Sequence, residues 1–172
     1  FLAWAGAGSR GVIPLVTILS SALGLSVPLV YGSLAGIIGE RSGTINIAIE
    51  GQFLAAAFAA SVMFSLTKSF LVALVAAALA GLMMAGVLAL FTLKYLVDHV
   101  IIGVVVDLLA TGLTGFMFQQ LVAPNAATFG SVTPSPPMAI PGLASIPFLG
   151  PILFAQRPLS YLAVIAVPLV WF

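Results

Sequence analysis

Long charge-free apolar runs constrain this chain more than any other feature. No charged residue occurs from 11 to 39, and none from 69 to 93. A helix needs about 20 predominantly apolar residues to cross a hydrocarbon core about 30 Å thick, and both runs exceed that length. The first is also too long for the apolar core of a signal peptide, so it reads as a span of the mature protein. Charged residues make up only 5% of the 172, whereas a soluble domain carries about 25%. Five Lys or Arg and four Asp or Glu cannot solvate a water-facing surface, which excludes a soluble globular fold. The hydrophobic share, 62%, supplies about 107 residues, enough for roughly five spans. A formal charge of +1 offers nothing to a phosphate backbone, so no nucleic-acid partner is expected. The absence of Cys removes disulfides and thiolate chemistry.

The remaining charges mark where spans end. The first run carries Pro14, Pro28 and glycines at 24, 32, 36 and 39, which membrane helices tolerate when neighbours re-satisfy the backbone. Within it, Gly32-Ser33-Leu34-Ala35-Gly36 is a weak small-xxx-small signal for helix contact. Gly39-Glu40-Arg41-Ser42-Gly43 then reads as a turn, and a second span, about 44–67, restarts with Thr44-Ile45-Asn46 and closes at Lys68. In the third, about 69–93, Ala73, Ala77, Gly81, Ala85 and Ala89 recur every four residues, a packing face. Lys94, Tyr95, Asp98 and His99 form the next connection, followed by a span at about 100–122 and another from near Leu159. Residues 123–158 hold eight of the eleven prolines yet stay apolar. Pro disfavours a regular helix there, and a solvated linker would be polar, so the segment is expected to be an ordered loop. The expectation is an all-α membrane protein with about five transmembrane helices, a break at 40–43 and a Pro-rich ordered loop at 123–158. Beginning at Phe1 and ending within an apolar run, residues 1–172 read as one transmembrane domain, incomplete at both ends. The Lys and Arg split of three to two gives no orientation.

Two carboxylates lie inside apolar spans. A charge at the bilayer centre costs about 2.5–3.5 kcal/mol on insertion scales, and such residues face a bundle interior or a water-filled cavity. Glu50 follows Asn46 by four and precedes Phe53 by three, the spacing of one helical face. Asp107 is followed at helical spacing by Thr111, Thr114 and Phe118. These two faces offer acceptors, hydroxyls and rings to a polar, partly planar solute, and Asn46, Glu50, Phe53, Asp107, Thr111, Thr114 and Phe118 are the candidates for a solute path. The plainer alternative gives Glu50 a place near the headgroups, Asp107 a helix-pairing role, and the two threonines bonds to their own helix carbonyls. One His and no Cys cannot build a His- or Cys-based zinc site, so no metal or other cofactor is expected. His99 directly follows Asp98, which excludes a hydrolytic triad on one helical face. Neither lysine follows the Gly-rich pattern of a P-loop, so any ATP hydrolysis belongs to another subunit. The chain is not expected to be an enzyme.

The stretch Glu40-Arg41-Ser42-Gly43-Thr44-Ile45-Asn46-Ile47-Ala48-Ile49-Glu50-Gly51 resembles the E-R-S-G-x-x-N-x-x-x-E-G stretch of bacterial ABC-importer permeases. The branch it resembles is associated with nucleosides, within the group that includes ribose-type and branched-chain amino acid permeases. The likeness continues through Ile101-Ile102-Gly103, Leu108 to Thr114, Ile140 to Leu143 and Ile146 to Phe154. It implies the N-terminal half of a multi-pass permease in the bacterial plasma membrane. It further implies a second permease subunit, cytoplasmic ABC ATPase subunits and an extracytoplasmic solute-binding lipoprotein. The coupling loop would lie beyond Phe172, the Pro-rich loop outside the cell, and the Glu40–Gly43 turn on the cytoplasmic side. Asp107 stands where many relatives have Asn. Two alternatives remain open on the residues themselves: a permease for simple sugars, and an ion-coupled secondary transporter using Glu50 and Asp107. A purely structural membrane subunit is a third.

Overall fold

The computed structural model describes residues 15–129, 138–139 and 153–171. Six helices appear in it: α1 Leu15–Arg41, α2 Ile49–Thr67, α3 Phe70–Ala89, α4 His99–Met117, α5 Ala126–Phe129 and α6 Pro158–Trp171. The ends of α3 and α4 widen into π-turns at Leu90–Lys94 and Phe118–Val122. Among the described residues four helices are long and apolar enough to cross a membrane: Ile18–Arg41, Ile49–Thr67, Phe70–Lys94 and His99–Val122. At 1.5 Å per residue the longer of them reach about 36 Å. The 14-residue α6 reaches only about 21 Å, so the roughly five spans expected resolve into four plus this shorter helix. Leu71, Leu82, Met83 and Leu108 stand exposed on these helices, a surface suited to hydrocarbon and not to water.

The chain divides into two compact units, one of residues 1–34 with 135–172, the other of 35–134. In the second unit, the break predicted from Gly43 is a helix C-cap. Gly43 adopts φ +82°, where a side chain is strained. Its N–H donates to the Glu40 carbonyl (3.0 Å) and the Thr44 N–H donates to the Gly39 carbonyl (3.0 Å). This paired pattern satisfies the last carbonyls of α1. Glu40 and Arg41 therefore belong to the final turn of the helix, and the break itself runs from Ser42 to Ala48. That corrects the expected restart at Thr44: α2 begins only at Ile49. Asn46 is the reason, because its Oδ1 accepts the Ala48 N–H (3.1 Å). Such local side-chain bonds compete with the helical ladder.

From there α2 runs to Thr67, and a left-handed Lys68 (φ 53°) turns the chain directly into α3. Helix α2 packs most extensively on α3 and also against α4. Of the small-residue face on α3, Ala73 is buried and Ala77, Gly81, Ala85 and Ala89 are half-buried. Asp98 begins α4 as its N-cap, its carboxylate accepting the Val100 (2.8 Å) and Ile101 (3.3 Å) N–H groups. The buried stripe of α4 is Ile102, Gly103, Val106, Ala110 and Thr114. Ala48, Leu88, Ile102 and Val106 form the apolar core, with Met84, Val87 and Val97 against it.

The first unit joins α1 to α6. The Tyr31 hydroxyl donates to the Leu159 carbonyl (2.9 Å), and Gln156 Nε2 donates to Ser20 Oγ (3.3 Å). Two-residue strands, β1 Met138–Ala139 and β2 Ala155–Gln156, pair antiparallel with Met138 opposite Gln156. Within 123–158 the described residues thus hold a short helix and this small ladder, while 130–137 and 140–152, most of the expected Pro-rich ordered loop, lie outside the described residues.

Candidate functional site

The candidate residues of α2 and α4 are organised by one close helix crossing. A Cβ built on Gly51 would stand 2.8 Å from Asp107 Oδ1, 2.9 Å from Asp107 Cα and 3.0 Å from Ala110 Cβ. Only glycine permits the two backbones to approach this closely. A second notch lies nearer the start of α4, where a Cβ on Gly103 would meet Ile47 Cβ at 2.9 Å and Ile47 Cα at 3.5 Å. Gly51 fills one half of the crossing and Gly103 receives the segment before α2.

Asp107 sits at the Gly51 notch. The residue as a whole is half-buried, but its Oδ1 is sealed from solvent and, among the described residues, has no hydrogen-bond partner. An ionised carboxylate has only acceptor sites, and the neighbouring Gly51 and Ala110 side positions offer it no donor. Gly51 lies in the first turn of α2, so the carboxylate rests against the end of a helix that carries partial positive charge. This stabilises it without pairing it.

The residues that follow on α4 are divided in their surroundings. Thr111 is exposed and donates to the Asp107 carbonyl (2.9 Å). Thr114 is buried, at 8% exposure, and donates to the Ala110 carbonyl (2.7 Å). Both hydroxyls bond their own helix, as the plainer reading of these threonines has it. Phe118 is exposed at the start of the π-turn.

On the other side of the crossing, Asn46 is not on the face of α2 with Glu50 and Phe53, because it precedes the helix. Its Nδ2 donates to Gln52 Oε1 (3.0 Å), tying the break to the first turn of α2. Glu50 is in that first turn, where negative charge suits the helix dipole. Glu50 and Phe53 are exposed, whereas Gly51 and Ala55 are buried. His99 Nδ1 accepts the Ile45 N–H (3.2 Å), so the one histidine also holds the break. Gly51, Gly103 and the capping role of Asp98 are the site residues that sequence reasoning missed. Asp98 had a readable signal, an acidic residue directly before an apolar helix, and both glycines stand in the stretches that carry the permease resemblance, although nothing there marks them as contact points.

Among the described residues no group of three or more His, Cys, Asp or Glu is placed to hold a metal. A cavity of about 210 Å³ lies in the first unit, lined by Val27, Val30, Gln156, Tyr161 and Val164 among others. None of the candidate residues lines it.

Residues 18–172 match the family described as branched-chain amino acid transport system, permease component. The chain is 32% identical over 165 residues to the guanosine ABC transporter permease protein NupQ of Bacillus subtilis, covering 90% of this chain and 50% of that protein. It is 29% identical over 163 residues to the nucleoside ABC transporter permease protein NupC of Lactococcus lactis, with 90% and 50% covered. It is 30% identical over 155 residues to the putative glucose ABC transporter permease protein TsgC13 of Haloferax volcanii, with 90% and 46% covered. The chain thus spans about half the length of these curated relatives. No solved structure matches it. With four membrane-length helices and a family match from residue 18 to its last residue, this multi-pass membrane chain belongs to the permease-component family of branched-chain amino acid transport systems.

Proposed function

We propose that the chain forms part of the translocation path in the permease subunit of an ATP-driven importer for nucleosides. The observation that carries this reading is the similarity, over 90% of the chain, to one permease named for nucleosides and another named for guanosine. On this reading Asp107 and Thr111 of α4, with Phe118 beyond them and Glu50 and Phe53 of α2, face the solute. Asn46 and Thr114 hold the surrounding backbone. ATP hydrolysis is assigned to separate ABC ATPase subunits, with a second permease subunit and an extracytoplasmic solute-binding lipoprotein completing the assembly. A second reading, import of a simple sugar, is favoured by the similarity to permeases named for glucose. Nucleosides and glucose share a sugar ring with neighbouring hydroxyls, so one path chemistry serves both readings.

The test is uptake by the parent protein reconstituted in vesicles with its ATPase and binding-protein partners. Labelled guanosine should enter with ATP and stop entering when the ATPase is inactivated. Undiminished uptake driven by a proton gradient alone would overturn the ATP-driven reading in favour of secondary transport through Glu50 and Asp107.

A further inference from the structure

We infer that Asp107 sets solute specificity by accepting a hydrogen bond from a sugar hydroxyl of the transported molecule, an inference that rests on the import reading above. A carboxylate nine residues into an apolar helix must be explained, since buried polar groups are otherwise hydrogen-bonded. Packing within the unit does not explain it. Among the described residues Oδ1 has no partner, and it lies against the Gly51 position of α2. Nor do the described cations of this unit enter the core, because Arg41, Lys68 and Lys94 stand at the ends of helices. The crossing therefore positions an acceptor that the described residues do not use.

The surroundings indicate what it takes. Asp107 keeps accessible surface, and the next turn presents exposed Thr111 and then Gly112, beside which a Cβ would meet open space. Thr111 spends its proton on the Asp107 carbonyl, leaving its hydroxyl oxygen as a further acceptor. Two acceptors side by side call for a ligand that donates, which disfavours phosphates and carboxylates. A neutral sugar hydroxyl satisfies a carboxylate through a charge-assisted hydrogen bond. The oxygen presented to the solute is Oδ2, because Oδ1 is the sealed one and the residue as a whole keeps accessible surface.

The test compares wild-type and Asp107→Asn forms of the parent permease, assembled with unchanged partners in vesicles. Uptake of guanosine is measured against 2′,3′-dideoxyguanosine, and of glucose against 2-deoxyglucose. The asparagine keeps an acceptor oxygen but loses the charge, and exchanging a charge-assisted hydrogen bond for a neutral one should lower uptake of the hydroxyl-bearing solute by about five- to tenfold. Uptake of the analogue should stay within about twofold, and co-purification with the ATPase should be normal. The binding protein is the same in both assays, so a changed ratio reports the permease. Equal loss for solute and analogue would mean a helix-pairing role and overturn the inference, as would an unchanged ratio. If Asp107→Asn does not assemble, Thr111→Cys decides. Guanosine should protect that cysteine from a water-soluble maleimide and the dideoxy analogue should not, and equal protection would overturn the inference. A wild-type protein that imports neither guanosine nor glucose with ATP would instead bring down the import reading itself.

Discussion

Gly51→Ala is the substitution that most directly probes the helix crossing. The added methyl would come to 2.9 Å of the Asp107 Cα and 3.0 Å of the Ala110 Cβ, where carbon atoms prefer about 3.5–4.0 Å. Neither neighbour is the far end of a flexible side chain. Relief requires α2 and α4 to part by about 0.5–1 Å, and overpacking of this kind costs about 1–3 kcal/mol. Replacing a helical Gly by Ala returns up to about 0.5–1 kcal/mol through the unfolded chain. Gly81→Ala and Gly86→Ala isolate that second term, because nothing lies within 4 Å of a Cβ at either position. The expected outcome is that Gly51→Ala is less stable than these controls by about 1–3 kcal/mol. Thermal unfolding of the parent permease in detergent measures it, and a gap of this size shifts the midpoint by several degrees. Adding Ala110→Gly should restore part of the loss, since it removes one of the close contacts and leaves the Asp107 backbone in place. A Gly51→Ala protein as stable as Gly81→Ala would refute the close crossing.

Further outcomes follow from the caps and the exposures. Asp98→Ala should destabilise the start of α4 by about 0.5–2 kcal/mol, with Asp98→Asn close to wild type, read from the same unfolding curves. Cysteine at 111 should react with a small water-soluble thiol reagent, while cysteine at 114, a buried position, should react slowly. If cysteines at 107, 111 and 114 all resist that reagent yet react with a lipid-soluble one, the stripe faces hydrocarbon and the path assignment fails.

The spans were legible because charge is so scarce here that each charged cluster marks a helix end or a site. Lys68 and Lys94 each fall at a helix end, and Gly43 falls at the residue whose φ the turn requires. Asn46 misled because a spacing of four to Glu50 is also the spacing of a helical face. Its side chain instead bonds Ala48 and Gln52, an alternative that spacing cannot reveal. The glycines show a sharper limit. The literal small-xxx-small stretch at 32–36 gives no close approach at Gly36, whose Cβ would find only Ile49 Cδ1 at 3.9 Å. Gly51 and Gly103, neither part of a Gly-xxx-Gly pattern, make the tight contacts. Whether a glycine is a notch depends on which helix crosses it, and that is decided by residues far away in sequence. The site was legible in the same partial way. An acid within an apolar span points to Asp107, but its missing partner is a property of packing.

The turn at Lys68 has a consequence for how the protein enters the bilayer. Only Lys68 and Ser69 separate α2 from α3, and the three Cα–Cα steps from Thr67 to Phe70 span at most about 11 Å. Packed helices lie about 8–10 Å apart, so the connection has little slack. One span cannot wait in the water while the other crosses. α2 and α3 must be delivered to the membrane together, as a helical hairpin whose insertion energy is shared. The strongly apolar, charge-free α3 can then carry in α2, with Glu50 near its start, and a charge introduced into α3 should strand both.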